Sequence, residues 1–302
     1  MTPKILAFGE IIWDVYKNER LIGGAPLNFA AHAKRCGGES FMISAVGNDK
    51  LGKDAIKIIK NLQVDERFIK TTAFPTGKCE VTLNECGIPC YNVLENTAFD
   101  NIVLSDEDIE KIKNQQFDAL YFGTLIQRNF VSKAALERLC KVCAFREIIC
   151  DINLRKNCYN KASAMLCLEN ATVLKLSDEE EPLLRDLELY SVTEESYEGI
   201  AKAITSAFPN IKILIITLGE KGSFVYQTHE KSGFLHCGEK TKVVSTVGAG
   251  DSYTAAWCVS FLSGESVKQA TEKATKLSAY VVSHKDAIPP SDELTYPNSF
   301  RF

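Results

Sequence analysis

Four histidines in 302 residues leave this sequence short of the side chain that metal centres use most. Cys140-x-x-Cys143 and Cys86-x-x-x-Cys90 have spacings a metal accepts, but Cys140 and Cys143 fall in a helical pattern with Leu136 and Leu139. The eleven cysteines are scattered along a chain without a secretory layout at its start, which speaks against a disulfide framework. They are expected to be reduced and mostly buried, because a free thiol behaves as a small apolar group. A basic cluster is missing and the net charge is −4, so the electrostatic footprint of a nucleic-acid binder is absent. No apolar run approaches the roughly 20 residues needed to span a bilayer. The expectation is a soluble, cytoplasmic protein with no nucleic-acid and no membrane partner. Two nucleotide-binding motifs are also lacking. Without Gly-x-x-x-x-Gly-Lys-Ser/Thr a P-loop enzyme is excluded, and without Gly-x-Gly-x-x-Gly after the first strand a dinucleotide dehydrogenase loses its main support.

The balance that remains, 45% hydrophobic and 25% charged, is that of a globular chain long enough for one large α/β domain or two small ones. Lys4 to Ile12 reads as a buried first strand followed by Trp13-Asp14, which puts Asp14 at a strand's carboxyl end, where open α/β sheets bind ligands. Phe41 to Val46 is a second strand, and Leu51, Ala55, Ile58, Ile59 and Leu62 then keep helical spacing. Further short apolar runs at 119–122, 147–150, 172–176 and 212–216 each end in polar or glycine residues, with helical stretches between most of them. That is the layout of a mostly parallel sheet flanked by helices, with its site along one edge. Two segments break the pattern. Residues 79–83 and 91–94 flank the turn Asn84 to Pro89 as a hairpin with one exposed face, an excursion from the main sheet. Residues 223–226 and 233–236 read as late β structure.

The chemistry concentrates in Ser245-Thr246-Val247-Gly248-Ala249-Gly250-Asp251, directly before an apolar, small-residue helix that closes at Gly264. Two glycines around one alanine let backbone approach a ligand closely. A helix start adds unpartnered N–H groups and partial positive charge, which together make an anion site suited to phosphate. Asp251 would repel phosphate unless it has another task, and accepting a proton from an attacking hydroxyl is such a task. Read without that chemistry, the stretch is a glycine turn with an acid at a helix start.

Thr246 to Asp251 resembles the second signature of the PfkB, or ribokinase-like, carbohydrate kinases, and Gly23-Gly24-Ala25-Pro26-Leu27-Asn28 on a small-residue helix resembles the first. The resemblance implies an α/β ribokinase-like fold spanning 1–302 as a single kinase domain. A small β-sheet lid is built from segments at about 12–22 and 70–100, and is often a homodimer contact in the family. It implies Asp251 as catalytic base, with Gly248, Ala249 and Gly250 as the anion hole, and Asp14, Gly24 and Asn28 as holders of sugar hydroxyls. Ser177-x-x-Glu180 is similar to an Asn-x-x-Glu motif in which the Glu organises Mg²⁺ through water. Taken alone, Glu180 is one acid in a helix start that the dipole favours. Thr217-x-Gly219-x-x-Gly222 is similar to the family's ATP-side loop.

Asp151-x-Asn153-x-Arg155 resembles bacterial fructokinases, as do Gly9-Glu10, Pro75-Thr76-Gly77, Phe122-Gly123-Thr124-Leu125 and Lys175-Leu176-Ser177. Arg155 would neutralise a transferring phosphoryl group or grip a polar substrate. The implied activity is transfer of the γ-phosphoryl of ATP to a neutral sugar, fructose first. Ribose, a nucleoside, 2-keto-3-deoxygluconate and a non-catalytic sugar-binding role stand as alternatives. Lys78 is the only basic residue in the hairpin, which favours an uncharged sugar. The expected cofactors are ATP and Mg²⁺. K⁺ is left open, because Ser245 stands where the family's signature has the Asp that contributes to a cation site in some relatives.

Overall fold

The computed structural model describes residues 2–16, 19–83, 89–155 and 157–290. β1 (Lys4–Phe8) lies inside the main sheet, and the chain then leaves it. β2 (Ile12–Val15) and β3 (Arg20–Gly23) pair antiparallel in a second sheet before α1 (Ala25–Arg35) leads back to β4 (Glu39–Gly47). α2 (Lys50–Asn61) precedes the edge strand β5 (Asp65–Thr72). β6 (Gly77–Leu83) and β7 (Pro89–Val93) then return to the second sheet. The remaining units alternate: α3 (Asp106–Gln115), β8 (Ala119–Phe122), α4 (Phe130–Val142), β9 (Glu147–Asp151), α5 (Lys161–Asn170), β10 (Val173–Ser177), α6 (Glu180–Arg185), α7 (Tyr197–Ala207) and β11 (Ile213–Thr217). The hairpin β12 (Ser223–Gln227) and β13 (Ser232–His236) completes the sheet, and α8 (Ala249–Leu262) and α9 (Val267–Val282) follow.

The main sheet runs β13-β12-β11-β10-β9-β8-β1-β4-β5, parallel from β5 through β11 and antiparallel beyond. Its strands are apolar on both faces because helices cover both. Alternation sorts the side chains: Leu6, Phe8, Leu120 and Leu174 pack on the side of α3, α4, α5 and α7, whereas Ile5, Ala7, Tyr121 and Val173 pack on the side of α1, α2, α8 and α9. The second sheet, ordered β3-β2-β6-β7, joins β2 to β6 in parallel. α8 is buried on nearly every side, as a helix wedged between α1 and α9 must be, with Ala255, Ala256, Trp257 and Cys258 fully buried. No helix among the described residues is long and apolar enough to cross a membrane.

Three expectations need correction or completion. The first strand stops at Phe8 rather than Ile12. Gly9 N–H bonds Ile43 carbonyl, and a side chain at Gly9 would overlap Pro26, so the chain turns out of the sheet there. Asp14 consequently sits inside β2 of the small sheet and not at the end of a main-sheet strand. β5 went unforeseen, because an edge strand that buries only Phe68 deeply carries too polar a pattern to read. The small sheet uses 12–15, 20–23, 77–83 and 89–93, while 70–72 belongs to β5. The expected turn at 84–88 lies outside the described residues. All nine described cysteines are free and six are buried; the side chains of Cys86 and Cys90 are outside the described residues.

Candidate active site

α8 begins where Gly248 adopts a left-handed conformation, φ 80°, as N-cap. A Cβ there would come within 2.7 Å of Ala287 Cβ, so glycine is required by both torsion and space. Within the described hydrogen bonds Gly248 and Gly250 N–H take no partner, while Ala249 N–H leans on Thr246 carbonyl at 3.3 Å. The open donors of the expected anion hole are therefore the two glycines. Asp251, in the first turn of α8, accepts from Asn28 Nδ2 at 2.8 Å. Burial raises its pKa above the ordinary Asp value, opposed by the Asn28 bond and by the charges of Lys175 and Arg155.

Asn28 is itself almost fully buried on α1, and its Oδ1 has no hydrogen-bond partner, a state that calls for a donor from a bound molecule or water. Gly24, the N-cap of α1 at φ 111°, lies so close to Glu10 that a Cβ would sit 2.5 Å from the Glu10 carbonyl oxygen. Asp14 faces Cys79 across the β2–β6 ladder. Its pKa is raised by burial, while the nearby Arg155 charge and the Cys79 thiol hold it down.

Asp14, Gly24, Asn28, Arg155, Gly248, Gly250 and Asp251 line a single cleft of about 900 Å³ between the two sheets. The second group of expected residues, Ser177, Glu180, Thr217, Gly219 and Gly222, lies outside that lining. Glu180 accepts Leu154 N–H at 2.8 Å and Ser177 N–H at 2.8 Å, one on each oxygen, which ties the end of β10 to the loop after β9. Thr217 Oγ1 points back to Leu176 carbonyl at 3.4 Å. Gly219, φ 58°, is open on the side a Cβ would occupy, whereas a side chain on Gly222 would overlap the backbone of His236.

Beneath the glycine turn lies a pair to which sequence reasoning gave no role. Lys175 Nζ bonds both oxygens of Asp151, at 3.0 and 2.9 Å, and both side chains are almost fully buried. The ammonium lies 2.8 Å from where a Gly250 Cβ would be, directly under the helix start. Burial lifts Asp151 to about 6, with Lys175 opposing it. Glu10 was also missed. It accepts Ala25 N–H at 3.2 Å, lines the same cleft, and is pushed up to about 7, mainly by burial. The usable signal was a charged residue inside an apolar strand, since a Lys in Val173–Ser177 needs a buried partner.

A doubly wound sheet, a small sheet across its cleft and a carboxylate at a glycine-rich helix start define the ribokinase-like sugar kinases. The chain belongs to the pfkB family of carbohydrate kinases, whose model matches residues 1–294, and it is an ATP-dependent sugar kinase. It is 25% identical over 318 residues to a probable fructokinase-2 of Arabidopsis thaliana, covering 95% of this chain and 93% of that protein. It is also 25% identical over 290 residues to a 5-dehydro-2-deoxygluconokinase of Listeria monocytogenes, covering 91% and 86%. Among solved structures, the fructokinase of Vibrio cholerae O395 bound to fructose, ADP and calcium superposes with a TM-score of 0.80 at 22% identity, over 98% of both chains. At that identity the match speaks for the fold.

Proposed function

We propose that the protein transfers the γ-phosphoryl of ATP to a hydroxyl of a neutral sugar, fructose first, with Asp251 as the base. The observation that carries this reading is the bond from Asn28 to Asp251, which brings the expected sugar side and the expected phosphate side within one cleft. A sugar hydroxyl that satisfies the orphan Asn28 Oδ1 lies next to the carboxylate that takes its proton. The N–H groups of Gly248 and Gly250, with Lys175 behind them, offset the charge that develops on the transferring group. Asp14 and Gly24 hold the rest of the sugar, and the small sheet excludes water. Its open edges, β3 and β7, are the surfaces through which a homodimer would form.

Mg²⁺ usually keeps several waters and needs few carboxylates. Glu180, with each oxygen already accepting one backbone N–H, suits a water-mediated hold rather than direct ligation. When bound, Mg²⁺ supplies charge neutralisation to the phosphates. For K⁺ the glycine turn offers the Ser245 hydroxyl, which accepts Val247 N–H at 3.3 Å, and no carboxylate before Asp251, so the reaction as drawn assigns K⁺ no part. Ser177 and Thr217, paired at the ends of β10 and β11, with Gly219 and Gly222 in the turn that follows, are assigned to the rest of ATP.

Fructose is favoured by the fructokinase names of the plant relatives. One observation favours a second reading, an acidic sugar such as a ketodeoxygluconate. Arg155 is exposed in the cleft and, among the described residues, its guanidinium makes no hydrogen bond or ion pair, unlike the charged ends of Arg20, Lys175 and Lys285 around it. A coupled assay with ATP and fructose, ribose, a nucleoside and 2-keto-3-deoxygluconate tests the choice. Turnover with fructose at least about tenfold above the acid in kcat/KM is expected, and the reverse order would replace the neutral sugar.

A further inference from the structure

Three polar side chains occupy one stripe of α1, at positions 28, 32 and 35, the i, i+4, i+7 spacing of a helix face. Each is bonded to a different part of the wall around the glycine turn. Asn28 donates to Asp251 at 2.8 Å, His32 Nε2 lies 2.8 Å from Ala287 carbonyl, and Arg35 Nη1 donates to Pro289 carbonyl at 2.6 Å. A carbonyl oxygen only accepts, so Nε2 of His32 carries the proton in this contact. His32 has no exposed surface. Burial pushes its pKa down to about 4, with the Ala287 bond opposing and Arg35 adding, so the ring is neutral.

Ala287 is the residue against which Gly248 rests, with its Cα and carbonyl oxygen each 2.9 Å from the position of a Gly248 Cβ. The left-handed turn at Gly248 thus has one support in α8 itself and another in the segment after α9, and that segment is held by α1. We propose that His32 and Arg35 are positioning residues for phosphoryl transfer, strapping residues 287–289 behind the Gly248 turn. The helix that orients the base through Asn28 thereby also keeps the anion hole in register with it. The inference rests on the reading of Asp251 as base and of the turn as anion hole.

The test compares His32→Leu, His32→Gln and Arg35→Met in the full chain, by steady-state kinetics, ligand dissociation constants and amide hydrogen exchange. In His32→Leu, kcat is expected to fall about 100-fold, because displacing a positioned group by about 1 Å costs that much. Dissociation constants for sugar and ATP should stay within about threefold, and exchange at residues 284–288 should accelerate while β1 and β4 keep their protection. His32→Gln retains an N–H donor and should recover most of the loss. If His32→Leu does not fold, Arg35→Met, at a half-buried site, should still loosen 284–288 and lower kcat about tenfold. Unchanged exchange at 284–288, or a kcat within about twofold of the parent, overturns the strap. An Asp251→Asn variant that keeps full turnover sinks the kinase assignment instead, and the exchange result stands apart from it.

Discussion

Asn28 Nδ2 and Asp251 Oδ2 meet at 2.8 Å although 223 positions separate them in the chain. The contact sits where α1 packs on α8, and it joins the two halves of the proposed reaction. Asp251→Asn removes the proposed proton acceptor and leaves the helix start intact. Turnover is expected to fall by about 10²–10⁴-fold, the usual share of a general base, with ATP affinity unchanged by titration calorimetry.

The same contact governs the pH profile. As the proposed base, Asp251 works only when ionised, so kcat should drop as pH falls through its pKa. Burial raises that pKa, and the Asn28 amide is first among the groups that lower it. Asn28→Leu deletes the amide, so the acid limb of kcat should move to higher pH. A limb that stays in place means another group titrates.

How far the sequence was readable follows the range of the interactions involved. The glycine turn at 248–250, the Gly24–Asn28 helix start and the alternating strands are local, and all were legible. Asp14 was misplaced because only Gly9 and Glu10 mark the exit of β1 from the sheet, and nothing in their composition says that Pro26 presses on Gly9. The Lys175–Asp151 pair and the His32–Ala287 contact depend on which strands and helices become neighbours, over separations of 24 and 255 residues. Such contacts carry no short-range pattern.

Breaking the buried pair from one side should be costly. Lys175→Met leaves Asp151 ionisable without its partner, and loss of about 3–5 kcal/mol of stability is expected by denaturant unfolding. Lys175→Met with Asp151→Leu should regain much of it, because both charges are then gone. A single variant as stable as the parent would show that the cleft already hydrates this pair.

Glu10 makes the opposite prediction, a substitution that stabilises. Its folded pKa of about 7 lies above the ordinary 4.5, so the folded chain holds an extra proton between those values. Stability linked to that proton is complete below about pH 4.5 and is lost as pH rises through about 7. Glu10→Gln keeps an acceptor for Ala25 N–H and cannot ionise. At pH 8 it should exceed the parent by up to about 3 kcal/mol, and at about pH 4, below the unfolded value, the two should match. Thermal unfolding at both pH values checks this.

Arg155 separates the two substrate readings. If the guanidinium faces the transferring phosphoryl group, Arg155→Gln lowers kcat with fructose by about 10²-fold and leaves KM nearly unchanged, since the interaction is made mainly in the transition state. If it grips a sugar carboxylate, the loss appears in KM for 2-keto-3-deoxygluconate, by about 10²-fold for a lost charge-assisted pair, and fructose kinetics hardly move. Its charge is felt at Asp14 on the small sheet and at Asp251 on α8, so its position allows either role. Steady-state kinetics of this one variant with both sugars therefore decides what the cleft is built to accept.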